Sequence, residues 1–167
     1  FGKRNVVAPE PEEGNYIVYA KYVDYNDNIT YINSDRIIFD LTGASATITA
    51  NDSTWSEYHS PVNIYNGDAI SYTVVAQDLV SGVNKIEYIV SEEIKTIDDL
   101  NDIEEWNTYT DEFNISEVSK YIIYVKVTDN SNNVTYVNTD KIITLSYHVD
   151  DLKSGNALTF NKYMTSD

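Results

Sequence analysis

The side chains with the strongest claim to chemistry are carboxylates in turns rich in Asn and Asp. Asp24 and Asp27 lie in the run 24–28, DYNDN, and Asp129 opens the run 129–133, DNSNN. Hard cations bind several oxygen ligands, and these runs offer carboxylates and amides at short spacing. Asp24, Asp27 and Asp129 are therefore the expected metal ligands, and calcium the expected ion. Neither run has the glycine and distal bidentate Glu of an EF-hand loop. Turn chemistry accounts for the same residues, because Asn and Asp bond their own backbone two residues on and tolerate left-handed angles.

Other constellations are weaker. Asp98, Asp99, Asp102, Glu104 and Glu105 form an acidic run that reads as a solvated face. Glycoside hydrolysis needs two carboxylates at fixed separation in a cleft, and nothing in this run's spacing supplies one. Trp55 and Tyr58, beside His59, are the expected contacts for a sugar ring, with a packed loop as the alternative. Tyr19, Tyr31, Tyr124 and Tyr136 read as outward-facing and could form an aromatic platform. Cross-strand pairing accounts for them equally well. Asn28, Asn51, Asn114 and Asn133 each head an Asn-x-Ser/Thr triplet and are the candidate N-glycosylation sites.

Composition narrows the function. The 167 residues contain no Cys and two His, which removes disulfides, thiol nucleophiles and Cys-based zinc sites. With 27 Asp+Glu against 11 Lys+Arg the formal charge is −16. Such a chain has little with which to neutralise phosphates, so neither nucleic acid nor an anionic membrane surface is an expected partner. No run approaches the roughly 18 apolar residues of a membrane helix. No catalytic residues are assigned, and the chain reads as a non-enzyme.

The elements that must carry these side chains are strands. Fifteen Tyr, with abundant Ile, Val and Thr, favour a pleated, half-buried surface. Residues 14–40 and 119–145 repeat each other without a gap at an offset of 105, and twelve of the 27 positions are identical. That period fits a complete β-sandwich module. The expected organisation is residues 1–41 as the C-terminal part of one module, 42–146 as a complete module, and 147–167 as the start of another or an exchanged strand. In 121–127 every odd position is apolar, which predicts a strand with one buried face. A turn over 128–133 and strands over 134–137 and 141–145 complete the repeated hairpin. Further strands are expected over 46–50, 69–76, 83–90, 106–109 and 112–115. Apolar residues at 94, 97, 100 and 103 predict a short helical turn capped by Thr96.

The run Lys85-Ile86-Glu87-Tyr88, then Trp106-Asn107-Thr108-Tyr109, then 121–133 with Asp129 and Asn133 bracketing the turn, resembles bacterial immunoglobulin-like repeat modules. The likeness covers residues 83–145, and 14–40 through the repeat. It implies an all-β fold, an immunoglobulin-like antiparallel β-sandwich, on secreted or cell-surface proteins. There such modules act as spacers, stalks or adhesin arms, with neighbouring modules or copies of the chain as partners, and sometimes surface glycan. The expected role is an extracellular, non-catalytic structural module. Two alternatives keep the fold. In one, the chain is a subunit of a head-to-tail filament built by strand donation, with 157–160 as the donated strand. In the other it is a carbohydrate-binding module. A Lys–Asn isopeptide cross-link is disfavoured because Lys21 and Lys126 fall on the polar strand face.

Overall fold

The structure, a computed structural model, describes residues 12–66, 70–116 and 119–144. The tail 147–167, including the expected donated strand, lies outside the described residues. The first strands are β1 (Gly14–Tyr16), β2 (Tyr19–Val23), β3 (Ile29–Asn33) and β4 (Ile37–Phe39). They are followed by β5 (Ser45–Ala50), β6 (Ser53–Trp55), β7 (Asn63–Asn66), β8 (Ile70–Gln77) and β9 (Val83–Ser91). A short helix α1 (Ile97–Asn101) precedes β10 (Asn107–Thr108), β11 (Phe113–Ile115), β12 (Lys120–Asp129), β13 (Val134–Asn138) and β14 (Lys141–Thr144). The described chain is mostly strand, as the composition predicts.

Two sheets face each other. One runs β11-β8-β5-β6 and the other β10-β9-β12-β14-β7, with β13 also paired to β12. Ile48, Tyr72 and Val74 from the first sheet meet Tyr121, Ile123, Val125, Val127 and Val137 from the second in one apolar core. The odd positions of β12 point into this core, as their alternation requires. The Tyr72 and Tyr121 hydroxyls share a hydrogen bond at 3.1 Å inside it, so neither polar tip is left unpaired.

Two even positions of β12, Ile122 and Tyr124, are also buried, which the alternation alone does not predict. Ile122 and Tyr124 lie under Leu100 of α1 in a second, smaller core, joined by Tyr58, Ile89, Ile103, Trp106 and Tyr136. The helix is held by a capping box. Thr96 Oγ1 accepts from the Asp99 amide, and the Asp99 carboxylate accepts from the Thr96 amide. The spacing of three therefore serves to lay Leu100 on the outer face of the sheet. Next to it, the Lys126 ammonium sits 4.4 Å above the Trp106 ring and 3.1 Å from Glu87.

Strands β1 to β4 repeat β12 to β14 in three dimensions. Tyr16 pairs with Ile37 as Tyr121 pairs with Ile142, and Tyr22 with Thr30 as Val127 with Thr135. The side-chain bonds repeat too. Ser34 Oγ accepts from the Val18 amide, and Thr139 Oγ1 from the Ile123 amide, both at 3.0 Å. The burial does not repeat. Tyr19 is 70 % exposed and its counterpart Tyr124 only 1 %, because β12 lies under α1 and between β9 and β13, whereas among the described residues β2 pairs only with β3.

Candidate functional site

The two Asp-headed turns have one construction. Asp24 Oδ1 accepts from the amides of Asn26 and Asn28, and Asp129 Oδ1 from those of Ser131 and Asn133. In each turn the Asn at the fifth place, Asn28 or Asn133, donates its side-chain amide to the second carboxylate oxygen at 2.8 Å. The fourth place, Asp27 or Asn132, takes a positive φ of 63° or 70°, which Asp and Asn tolerate. In the first copy the Asn28 amide bonds hold the Asp24 carboxyl below the usual range. Asp24 is part-exposed, Asp27 is exposed, and both belong to no converging group of acidic side chains among the described residues. Turn geometry is what their spacing encodes.

Asp129 is different. It converges with Asp40 and Asp78, each of the three presenting a carboxylate oxygen within 4.8 Å of the others. Asp40 follows β4, at the start of the linker into β5. Asp78 opens the loop between β8 and β9. Its Oδ1 accepts from the amides of Val80, Ser81 and Gly82, and these bonds, the Gly82 amide foremost, hold its carboxyl low. Asn130 ties the loop to the turn by donating its side-chain amide to the carbonyls of Ser81 and Gly82. Asn133 ties the turn to the linker by donating to the carbonyls of Asp40 and Thr42. Glu13 reaches the linker from the other side, where Oε1 accepts from the Leu41 amide at 2.7 Å. The linker also runs so close to β13 that a Cβ on Gly43 would stand 2.4 Å from Thr135 Oγ1.

The electrostatics of this cluster are unbalanced. Asp40 is 8 % exposed and Asp129 0 %, and the ion pairs of the described residues involve Glu87 and Asp140, not these three. Two unit charges within 4.8 Å of each other repel by at least about 3 kcal/mol at an effective dielectric of about 20. Asp40 Oδ1 accepts from the Thr42 amide, but its buried Oδ2 has no hydrogen-bond partner. Asp40 and Asp78 are the residues that sequence reading passes over. Asp40 lies 38 positions before Asp78 and 89 before Asp129, in DLTG and DLVSG, and no local spacing joins them.

The aromatic candidates are placed otherwise than as an open platform. Trp55 is 9 % exposed and donates its indole N–H to Asp140 at 2.9 Å. Burial alone would raise the Asp140 carboxyl. Bonds from Trp55, the Val62 amide and His59 outweigh it and hold the group low. The Trp55 ring borders a cavity of about 210 Å³ with Asn51, Asp52 and Ser53 at its polar side. Tyr58 packs in the second core and donates to the Lys95 carbonyl. Tyr124, expected to face outward, is covered by α1, and its hydroxyl accepts from the Lys95 amide. Tyr136 packs against Trp106 and bonds Asn101. Tyr19 and Tyr31 are exposed, 70 % and 67 %.

Of the glycosylation candidates, Asn28, Asn51 and Asn114 are exposed. Asn133 is part-buried, and its amide is committed to Asp129 and the linker carbonyls. No protein-family model matches this chain, and neither the curated proteins nor the solved structures yielded a significant match.

Proposed function

We propose that the chain is a non-catalytic structural repeat, an immunoglobulin-like module with part of a second, acting as a spacer on the outside of a cell. The observation that carries this reading is the duplicated hairpin: two copies with the same strand register and turn bonds, the first joined to the sandwich that contains the second by the short stretch from Asp40 to Ala44. Repetition of a unit along one chain is how spacers gain length. The strand order supports the immunoglobulin-like form. β8 lies between β5 and β11, β12 pairs β9 on one side and β13 and β14 on the other, and β7 runs parallel to β14. A linker bonded from both sides, by Glu13 and by Asn133, suits a stiff connection. Small-angle scattering of the full chain tests it. A single extended shape is expected, and a broad ensemble of relative orientations would remove the spacer role.

A second reading is a filament subunit. It is favoured by the apolar faces of β1 to β4, where Tyr16, Ile17, Tyr19, Ile32 and Ile38 stay exposed while Tyr121, Ile122, Tyr124, Val137 and Ile143 at the same repeat positions are buried or partly buried. In that reading a strand from a neighbouring copy covers this surface. Light scattering over a concentration series separates the two. Monomers at every concentration support the spacer, and growing oligomers lost on deleting residues 147–167 support strand donation.

A further inference from the structure

We propose that Asp40, Asp78 and Asp129 form a calcium site at the junction between the two repeat copies. Three features point to an ion of this class. The converging donors are all carboxylate oxygens, which select hard cations over zinc or copper. Their spacing, within 4.8 Å, does not exceed the span of two ligands on opposite sides of one calcium, with each Ca–O bond about 2.4 Å. The buried Asp40 Oδ2 has no hydrogen-bond donor, although buried carboxylate oxygens are otherwise satisfied. Magnesium is the poorer fit. It keeps several of its waters, and with Asp40 and Asp129 both buried there is little room for them.

The frame is already built. Each carboxylate is oriented by backbone amides through Oδ1, from Thr42 to Asp40, from Val80, Ser81 and Gly82 to Asp78, and from Ser131 and Asn133 to Asp129. An ion bound to all three ties the linker to two loops of the sandwich and offsets their mutual repulsion. The site stands on its own geometry. Its consequence, a stiffer joint, rests on the spacer reading.

The test is calorimetric titration of the chelator-stripped full chain with CaCl2, and separately with MgCl2, alongside thermal melts. The variants are Asp40→Asn, which keeps the acceptor for the Thr42 amide, and Asp24→Asn in the exposed copy of the turn. Saturable binding of one calcium per chain below about 1 mM is expected. It should weaken tenfold or more in Asp40→Asn and stay unchanged in Asp24→Asn. Calcium should raise the melting temperature of the parent chain and not that of Asp40→Asn. Absence of saturable heat up to about 10 mM calcium, beyond the weakest range of extracellular calcium modules, overturns the site. So does undiminished affinity in Asp40→Asn. If that variant fails to fold, the parent titration and Asp78→Asn decide by the same criteria. Calcium binding with scattering unchanged between calcium and chelator keeps the site and overturns only the stiffening.

Discussion

Asp24 and Asp129 accept the same three hydrogen bonds at equivalent places in the repeat, yet Asp24 is part-exposed and Asp129 is fully buried. The local sequence is enough to form the turn, because Asp at the first place and Asn at the fifth close it on themselves. What the second copy adds is company. The linker at Asp40 and the loop at Asp78 pack against it and turn a self-contained turn into the centre of an acidic cluster.

Replacing Asp129 by Ala should therefore cost far more than replacing Asp24. The buried turn would lose an acceptor for the Ser131 and Asn133 amides and for the Asn133 side chain, a loss of about 2–3 kcal/mol. Asp24→Ala leaves its donors free to bond water, so the loss should be clearly smaller. Chemical denaturation of both variants in excess calcium, which offsets the carboxylate repulsion that Asp129→Ala would otherwise relieve, checks the difference, and equal losses would mean that burial of the second turn contributes nothing.

Much of this fold is legible in the residues and part is not. The alternation in 121–127 shows the inward face of β12, and the DNSNN run shows the turn that follows it. Thr96 and the spacing of Leu100 show the capped helix. The landing place of that helix is not visible, because a spacing of three says which side is apolar and nothing about the surface it covers. Tyr124 thus reads as outward when it is outward and covered. Strands β6 and β7 are equally hidden. Ser53-Thr54-Trp55 is too short to alternate, and β7 is defined by a parallel pairing with β14 some 78 residues later, as between Asn63 and Lys141. The acidic cluster follows the same rule. Asp129 is visible in its turn, while Asp40 and Asp78 reach it only through topology.

The buried tyrosines make stability fall at alkaline pH. Burial pushes up the hydroxyls of Tyr72, Tyr121, Tyr124 and Tyr136, reinforced at Tyr72 by its bond with Tyr121 and at Tyr136 by the Glu87 charge, and at Tyr121 and Tyr124 only partly offset by their own hydrogen bonds. The folded chain holds these protons where the unfolded chain releases them at about pH 10. Their contribution is then complete below that pH and is lost as pH rises above it. Denaturant melts between pH 8 and about 11.5, spanning the free tyrosine value, should show declining stability. Tyr124→Phe should flatten the decline, and a flat profile in the parent chain would contradict the burial.

The helix should matter through Leu100 more than through its cap. Thr96→Ala removes one side of the capping box and should cost about 1 kcal/mol. Leu100→Ala empties the centre of the second core over Ile122 and Tyr124 and should cost about 2–4 kcal/mol. Tyrosine fluorescence and hydrogen exchange at the Lys95 amide, which is bonded to the Tyr124 hydroxyl, would report the opening. Unchanged exchange in Leu100→Ala would show that α1 does not cover the sheet in solution.

Gly43 and Thr135 should behave as a coupled pair. An added Cβ on Gly43 meets Thr135 Oγ1 at 2.4 Å, while the nearest backbone atoms, in Val134, stay at 3.6 Å. The obstacle is therefore one side-chain atom rather than the strand itself. Gly43→Ala alone should destabilise by about 1–3 kcal/mol, the range for overpacking. In a Thr135→Ala background the same change should cost much less, because the contact at 3.6 Å is ordinary packing. A double-mutant cycle by urea melts measures the coupling directly. Strictly additive effects would mean that the linker does not rest against β13, and would take with them the close approach that brings Asp40 to Asp129.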